Sequence, residues 1–356
     1  MSSPFDHILC KIAAGKPMEI RCSVTGMRHI IPAALLSSSL ALTLPVAGQA
    51  PSGFNKEERS SKVTLTYLGT AGWVVSDGRV TIVIDPYVSR LRFAELFGSA
   101  LPATPGDERR IYQADDPLMP DTAAIDRLIP KADYILVHHS HFDHVLDVPY
   151  LAKERKAIVI GHESTTNIAR ADGVPDSQLI TVRGGEDYEF GSFSLRVIPG
   201  LHSPLDKKHY YDSRIAPRDI RLPLNLEGYP EGGSLAYLIR IAGHEILTFG
   251  SMNYVEHELE GLRPDVVLVG WNKSQSEIHD YLGRLMRVLG NPRTVLPTHW
   301  DDLWLAYDMP QTTALERLKA FQAGIANVSP ATQVVIPHYF EPIELPVETT
   351  PRRRSD

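Results

Sequence analysis

Residues 137–147 read VHHSHFDHVLD, which places four histidines and an aspartate within residues 138–144. The run ADYILV that leads into them is short and apolar, as a buried strand is, so the histidines stand where a strand leaves a core. A chain of this kind must fold so that polar donors gather at strand ends. Written as His139-x-His141-x-Asp143-His144, the motif has two histidines two apart, which at a strand end point the same way and can share one ion. Asp143 and His144 then project into the turn, where they can hold a second ion or position a water. By the same alternation His138 points away, toward a packed or supporting role.

The surrounding pattern is that of many short strands. VTLTYLG and RVTIVIDPY open the series as an antiparallel pair joined through TAGWVVSDG, with a turn at Gly78. DYILV, AIVIG, SQLITV, FSLRVIPG, SLAYLIRIAG, EILTFGS, DVVLVG and RTVLPTH follow, many separated by helical segments such as 165–170 and 278–289. Residues 89–129 lack periodicity and read as an insertion with short helices around Phe93 and Ala123, long enough to cover a site. With no internal repeat or linker, a single α/β domain over 62–341 is expected, followed by a flexible tail at 342–356. A hydrophobic fraction of 43% is enough for a sizeable core.

The segment MRHIIPAALLSSSLALTLPVAGQA at 27–50 has a basic start, a short apolar stretch and small residues at Gly48 and Ala50, the shape of a secretory signal peptide. Translation starting at Met27 would leave 1–26 as an extension, and a retained N-terminal anchor is the alternative to cleavage. Residues 51–61 form a polar linker. Export, to the periplasm or outside the cell, is therefore expected, with no membrane span left after processing. Both cysteines, Cys10 and Cys22, precede Met27. The processed chain would have neither a disulfide framework nor thiolate ligands, so any metal must be held by histidine and carboxylate. A net charge of −7 with interspersed signs argues against nucleic acid as a partner.

Two further histidines sit at strand ends, His202 in VIPGLHSP and His299 in TVLPTHWDD. With the first cluster, and with YLGTAGWVV and VIDPY, they make the chain resemble the metallo-β-lactamase superfamily from about residue 63 to His299. The resemblance implies an αββα four-layer sandwich. It also implies a first metal site of His139, His141 and His202 and a second of Asp143, His144 and His299, holding one or two zinc ions. Asp85 matches an aspartate that orients the histidine loop through hydrogen bonds.

One expected ligand is missing. Where the family places an aspartate that bridges both ions, this chain has LTFGSMNY, with Ser251 at that position. Two divalent ions about 3.5 Å apart repel by roughly 19 kcal/mol at an effective dielectric near 20, so a bridging anion matters greatly. Two readings stand: Asn253, Glu256, His257 or Asp301 substitutes, or the second ion is weakly held. Three neutral imidazoles around zinc would still lower the pKa of bound water to about 7.

Other groups have two readings each. Trp271, Asn272 and Lys273 either line a pocket or anchor a loop, and His279 and Tyr281 read as surface or packing residues. The segment after His202 carries Lys207, Lys208, Tyr210, Tyr211 and Arg214, which suit an anionic small-molecule substrate; a solvated insertion is the alternative. The resemblance implies a metal-dependent hydrolase in which zinc-bound hydroxide attacks an ester, lactone, amide or phosphoester, with Asp143 orienting or deprotonating the water. A nuclease or phosphodiesterase, a β-lactamase, and a metal-binding homologue without catalysis are the alternatives.

Overall fold

Alternation sets the first hairpin. In Thr64–Gly69 and Gly72–Ser76, Leu65, Tyr67, Trp73 and Val75 all turn to one buried face, and the strands pair antiparallel. The computed structural model describes residues 62–345 other than 97, 206–208 and 211–213, with 205, 209 and 210 as backbone only. Residues 27–50 and 51–61, expected above to be a signal segment and a linker, both cysteines, residues 346–356, and Lys207, Lys208 and Tyr211 lie outside the described residues.

The connection between the two opening strands contains a strand of its own, Gly72–Ser76, because Trp73 and Val75 alternate inward. Thr81–Ile84 pairs with it and continues, in parallel, to Tyr134–Leu136, Ile158–Gly161 and Leu179–Thr181. A second sheet runs in the order Asp187–Glu189, Phe193–Pro199, Leu235–Ile241, His244–Phe249, Val266–Gly270, Thr294–Thr298, Gln333–Val334. Leu65, Tyr67, Trp73, Leu136 and Ile160 of the first sheet pack in one cluster with Leu195, Tyr237, Ile239, Leu268 and Leu296 of the second. Each such aliphatic side chain contributes about 1.5–3 kcal/mol by leaving water.

The outer faces are covered in turn. Helices Thr122–Leu128, Val148–Arg155 and Glu163–Ala171 bury Ile125, Leu151 and Ile168 against the first sheet. Tyr281–Val288 and Thr312–Val328 bury Leu285, Phe321 and Ile325 against the second. The result is the αββα four-layer sandwich. No helix among the described residues is long and apolar enough to cross a membrane.

Three expectations need correction. Phe93 lies in a two-residue strand, Arg92–Phe93, paired with Ile111–Tyr112; its ring packs edge-on against Phe142, so tertiary contact decides its conformation. The domain does not end at 341. Pro342–Glu344 pairs antiparallel with the edge strand Thr64–Gly69 and Leu345 is buried, so the start of the expected tail closes the first sheet. Helix 278–289 begins later, at Tyr281, behind a 3-10 turn over Lys273–Glu277.

Candidate metal centre

The strand Tyr134–Leu136 ends before the histidines, and hydrogen bonds rather than strand alternation aim them. The Asp85 carboxylate accepts from His138 N at 2.8 Å, and its Oδ2 lies 2.6 Å from His138 Nδ1 and 2.7 Å from His144 Nδ1. Ser140 N and Leu235 N close the loop by donating to the carbonyls of Glu231 and His138. His138 thus points to Asp85, away from the cluster, with its ring against Tyr237. Gly250 makes this fit: a Cβ there would sit 2.3 Å from the Cβ of His138.

Two groups of three donors result. His139, His141 and His202 form one, and Asp143, His144 and His299 the other, with the donor atoms within 4.8 Å of one another in each. The first sheet and the short helix Phe142–Val145 that follows it supply two donors to each group. His202, after Phe193–Pro199, and His299, after Thr294–Thr298, complete them from the second sheet. His299 adopts a left-handed backbone, φ 56°, and its N–H donates to the carbonyl of Thr70.

Both groups fit a divalent cation. His139 Nε2 and His141 Nδ1 lie 3.0 Å apart. Burial and the neighbouring histidines hold both rings well below the usual histidine range, so at neutral pH they are neutral donors. Burial likewise brings His202 down to about 4, and its Nδ1 faces the carbonyl of Ser203 at 2.8 Å, leaving Nε2 as the donor. His144 Nε2 is buried with no hydrogen-bond partner among the described residues and lies 3.7 Å from Asp143 Oδ2. Burial alone would raise Asp143, but His144 and His299 outweigh it and keep the carboxylate ionised. His299 Nε2 is 3.3 Å from the same oxygen. Nitrogen and carboxylate donors in threes match zinc or another first-row divalent ion.

Ser251 lines the cavity shared by both groups. Its Oγ accepts from Ser203 N at 2.9 Å and lies 3.3 Å from Ser203 Oγ, which Ser274 Oγ approaches to 3.0 Å. None of the four candidate substitutes is free to bridge. Asp301 is buried and accepts from Arg90, Tyr67, Tyr339 and Thr70 N at 2.6–2.8 Å. Asn253 donates to the His202 carbonyl, Glu256 pairs with Arg284, and His257 is exposed beside Glu260.

The cavity holds about 400 Å³. Leu96, Ser99 and Leu101 of the 89–129 insertion line it, as do Met252, Asn272, Lys273, Leu303, Trp304 and Arg317. Trp271 is the loop anchor of its trio, donating to the carbonyl of Arg317, while Asn272 and Lys273 face the cavity. Tyr281 packs, its hydroxyl on the Gly270 carbonyl. Arg214 donates to the carbonyl of Glu227. Sequence reading missed Arg317 and Trp304, which no motif marks; Ser203 had one signal, its place beside His202.

A family model described as the beta-lactamase superfamily domain matches residues 64–299. A protein of Flavobacterium johnsoniae named as a metal-dependent hydrolase is 27% identical over 139 residues, 39% of this chain and 48% of that protein. Another so named, from Anaeromyxobacter sp. (strain K), is 25% identical over 283 residues, 75% of this chain and 83% of its own. The match thus spans about half the length of the first relative and most of the second. The crystal structure of CmlA, a diiron beta-hydroxylase from Streptomyces venezuelae, shares the fold, with a TM-score of 0.50 at 16% identity over 80% of this chain and 54% of that one. The matched span runs from the first strand to the last histidine donor, and the sandwich between them has the expected layers: the chain belongs to the metallo-β-lactamase superfamily.

Proposed function

We propose that the chain is a zinc-dependent hydrolase that cleaves an ester, lactone, amide or phosphoester bond in a small molecule. The observation that carries this reading is that two three-donor groups, buried except for the partly buried His299, line one 400 Å³ cavity. His139, His141 and His202 would hold the first ion, and Asp143, His144 and His299 the second. An ion held there supplies Lewis acidity and activates water. Asp143, ionised and acceptor-only, orients the attacking water by accepting one of its protons in a hydrogen bond. Asp85 keeps His144 in the tautomer whose Nε2 faces the site. Apolar walls at Leu101, Leu303 and Trp304 limit water around the substrate.

The test pairs elemental analysis with turnover of 4-nitrophenyl esters, lactones and bis(4-nitrophenyl) phosphate, before and after chelation and zinc return. Turnover that disappears with the metal and comes back with it supports the reading. Bound metal with turnover of none would leave a metal-binding homologue without catalysis. Export is part of the proposal and rests on the 27–50 pattern alone. Mass spectrometry of protein from the native host should find the N-terminus near Pro51.

A further inference from the structure

Asn272, Lys273 and Arg317 line two cavities at once. One is the 400 Å³ cavity over the histidines, and the other is a neighbouring cavity of about 340 Å³ also lined by Trp271, Gln275 and Thr313. We propose that this junction binds an anionic group of the substrate, a carboxylate or phosphate, with Lys273 as its counter-ion. The proposal rests on the hydrolase reading and names the class of substrate: an acid with an apolar body.

Charge balance in the cavity points to Lys273. The other carboxylates that line it have cations already: Asp301 pairs with Arg90 at 2.6 Å and Asp302 with Arg317 at 2.7 Å. Asp143 faces His144 and His299. Lys273 is exposed at the mouth of both cavities and has no carboxylate partner among the described residues, so its ammonium is available to pair with an anion of the ligand.

Position supports the same assignment. Asn272 Oδ1 accepts from Ser274 N and Ser274 Oγ, both at 2.8 Å, and fixes the turn on which Lys273 is the first residue. Ser274 Oγ also lies 3.0 Å from Ser203 Oγ, placed to accept that hydroxyl's proton, which ties the turn to the residue beside His202. The backbone that carries Lys273 is therefore anchored to the loop that completes the first donor group. Leu303, Trp304 and Met252 line the same cavity and offer apolar contacts for the body of the substrate. Arg317 stands across the junction, held by Asp302 and by the carbonyl of Trp300. An anion there is bound away from the donors, with its scissile group left to reach them.

Two esters separate this role from a structural one: the 4-nitrophenyl ester of pentanoic acid and the 4-nitrophenyl monoester of glutaric acid. In Lys273→Ala the ratio of kcat/KM for the acidic over the neutral ester should fall by about tenfold, and Lys273→Arg should restore most of it. A ratio that stays within about twofold in Lys273→Ala overturns the proposal. Calorimetric binding of glutarate gives a readout without turnover: it should weaken about tenfold in Lys273→Ala and persist in Lys273→Arg. Equal glutarate affinity in all three proteins, or none in the unaltered one, also overturns it. If the unaltered protein cleaves neither ester, the hydrolase reading is judged by the wider panel of lactones and phosphodiesters, and glutarate binding alone decides the role of Lys273.

Discussion

Ser251 Oγ accepts a hydrogen bond from Ser203 N–H at 2.9 Å, so a neutral hydroxyl is built into the loop of His202 where a bridging carboxylate is expected. Two cations close together lack one anion that would hold them, and no neighbouring carboxylate makes good the loss. Purified protein should therefore hold close to one tight ion. Ser251→Asp, which keeps an acceptor for Ser203 N–H, should raise the content toward two. Elemental analysis checks both, and two tight ions in the unaltered protein would refute the argument.

The two closing histidines should then differ. His202→Ala takes a donor from the group of three histidines and should lower activity by about a hundredfold or more, whereas His299→Ala strips the weaker site and should cost about tenfold. Metal content and kcat/KM of each variant give the comparison; equal losses would mean that both ions are needed.

Arg90 and Asp301 are buried together at 2.6 Å, with side chains 2% and 0% exposed. Arg90→Met leaves the carboxylate without its cation and should destabilise the fold by about 3–5 kcal/mol, read from urea denaturation. A loss below about 1 kcal/mol would show that the tyrosine hydroxyls of Tyr67 and Tyr339 suffice.

Burial pushes Asp147 up to about 7 against the hydrogen bonds from Ser89. Its folded pKa is above the ordinary 3.8, so the folded chain holds a proton that the unfolded chain has released. That stability is full below the unfolded value and is lost as pH rises toward about 7. Asp147→Asn carries no such charge. Its stability relative to the unaltered protein should increase between about pH 5 and pH 8, measured by denaturation at both.

The strands were legible because their signal is local: Leu65 and Tyr67 alternate in six residues, and Val266–Gly270 is apolar throughout. The donor histidines were legible through spacing and strand ends. Phe93 was misread because its strand is two residues long and depends on Tyr112 and Phe142, which no window around it contains. Asp301 looked available as a bridge because its partner Arg90 is 211 residues away in sequence and meets it only in the folded structure. Lys273 gained meaning the same way, once Ser274 reached Ser203.

Each donor group takes two members from the chain's first half and one from its second. Neither half, produced as a separate fragment, carries three donors of one group, so metal uptake becomes a reporter of their reassembly. Mixing fragments cut near Gly185 in the presence of zinc should bind the ion only as the halves dock, and a chelator should pull them apart without unravelling either sheet's own hairpins. The ion is, in that sense, a stitch across the seam of the sandwich.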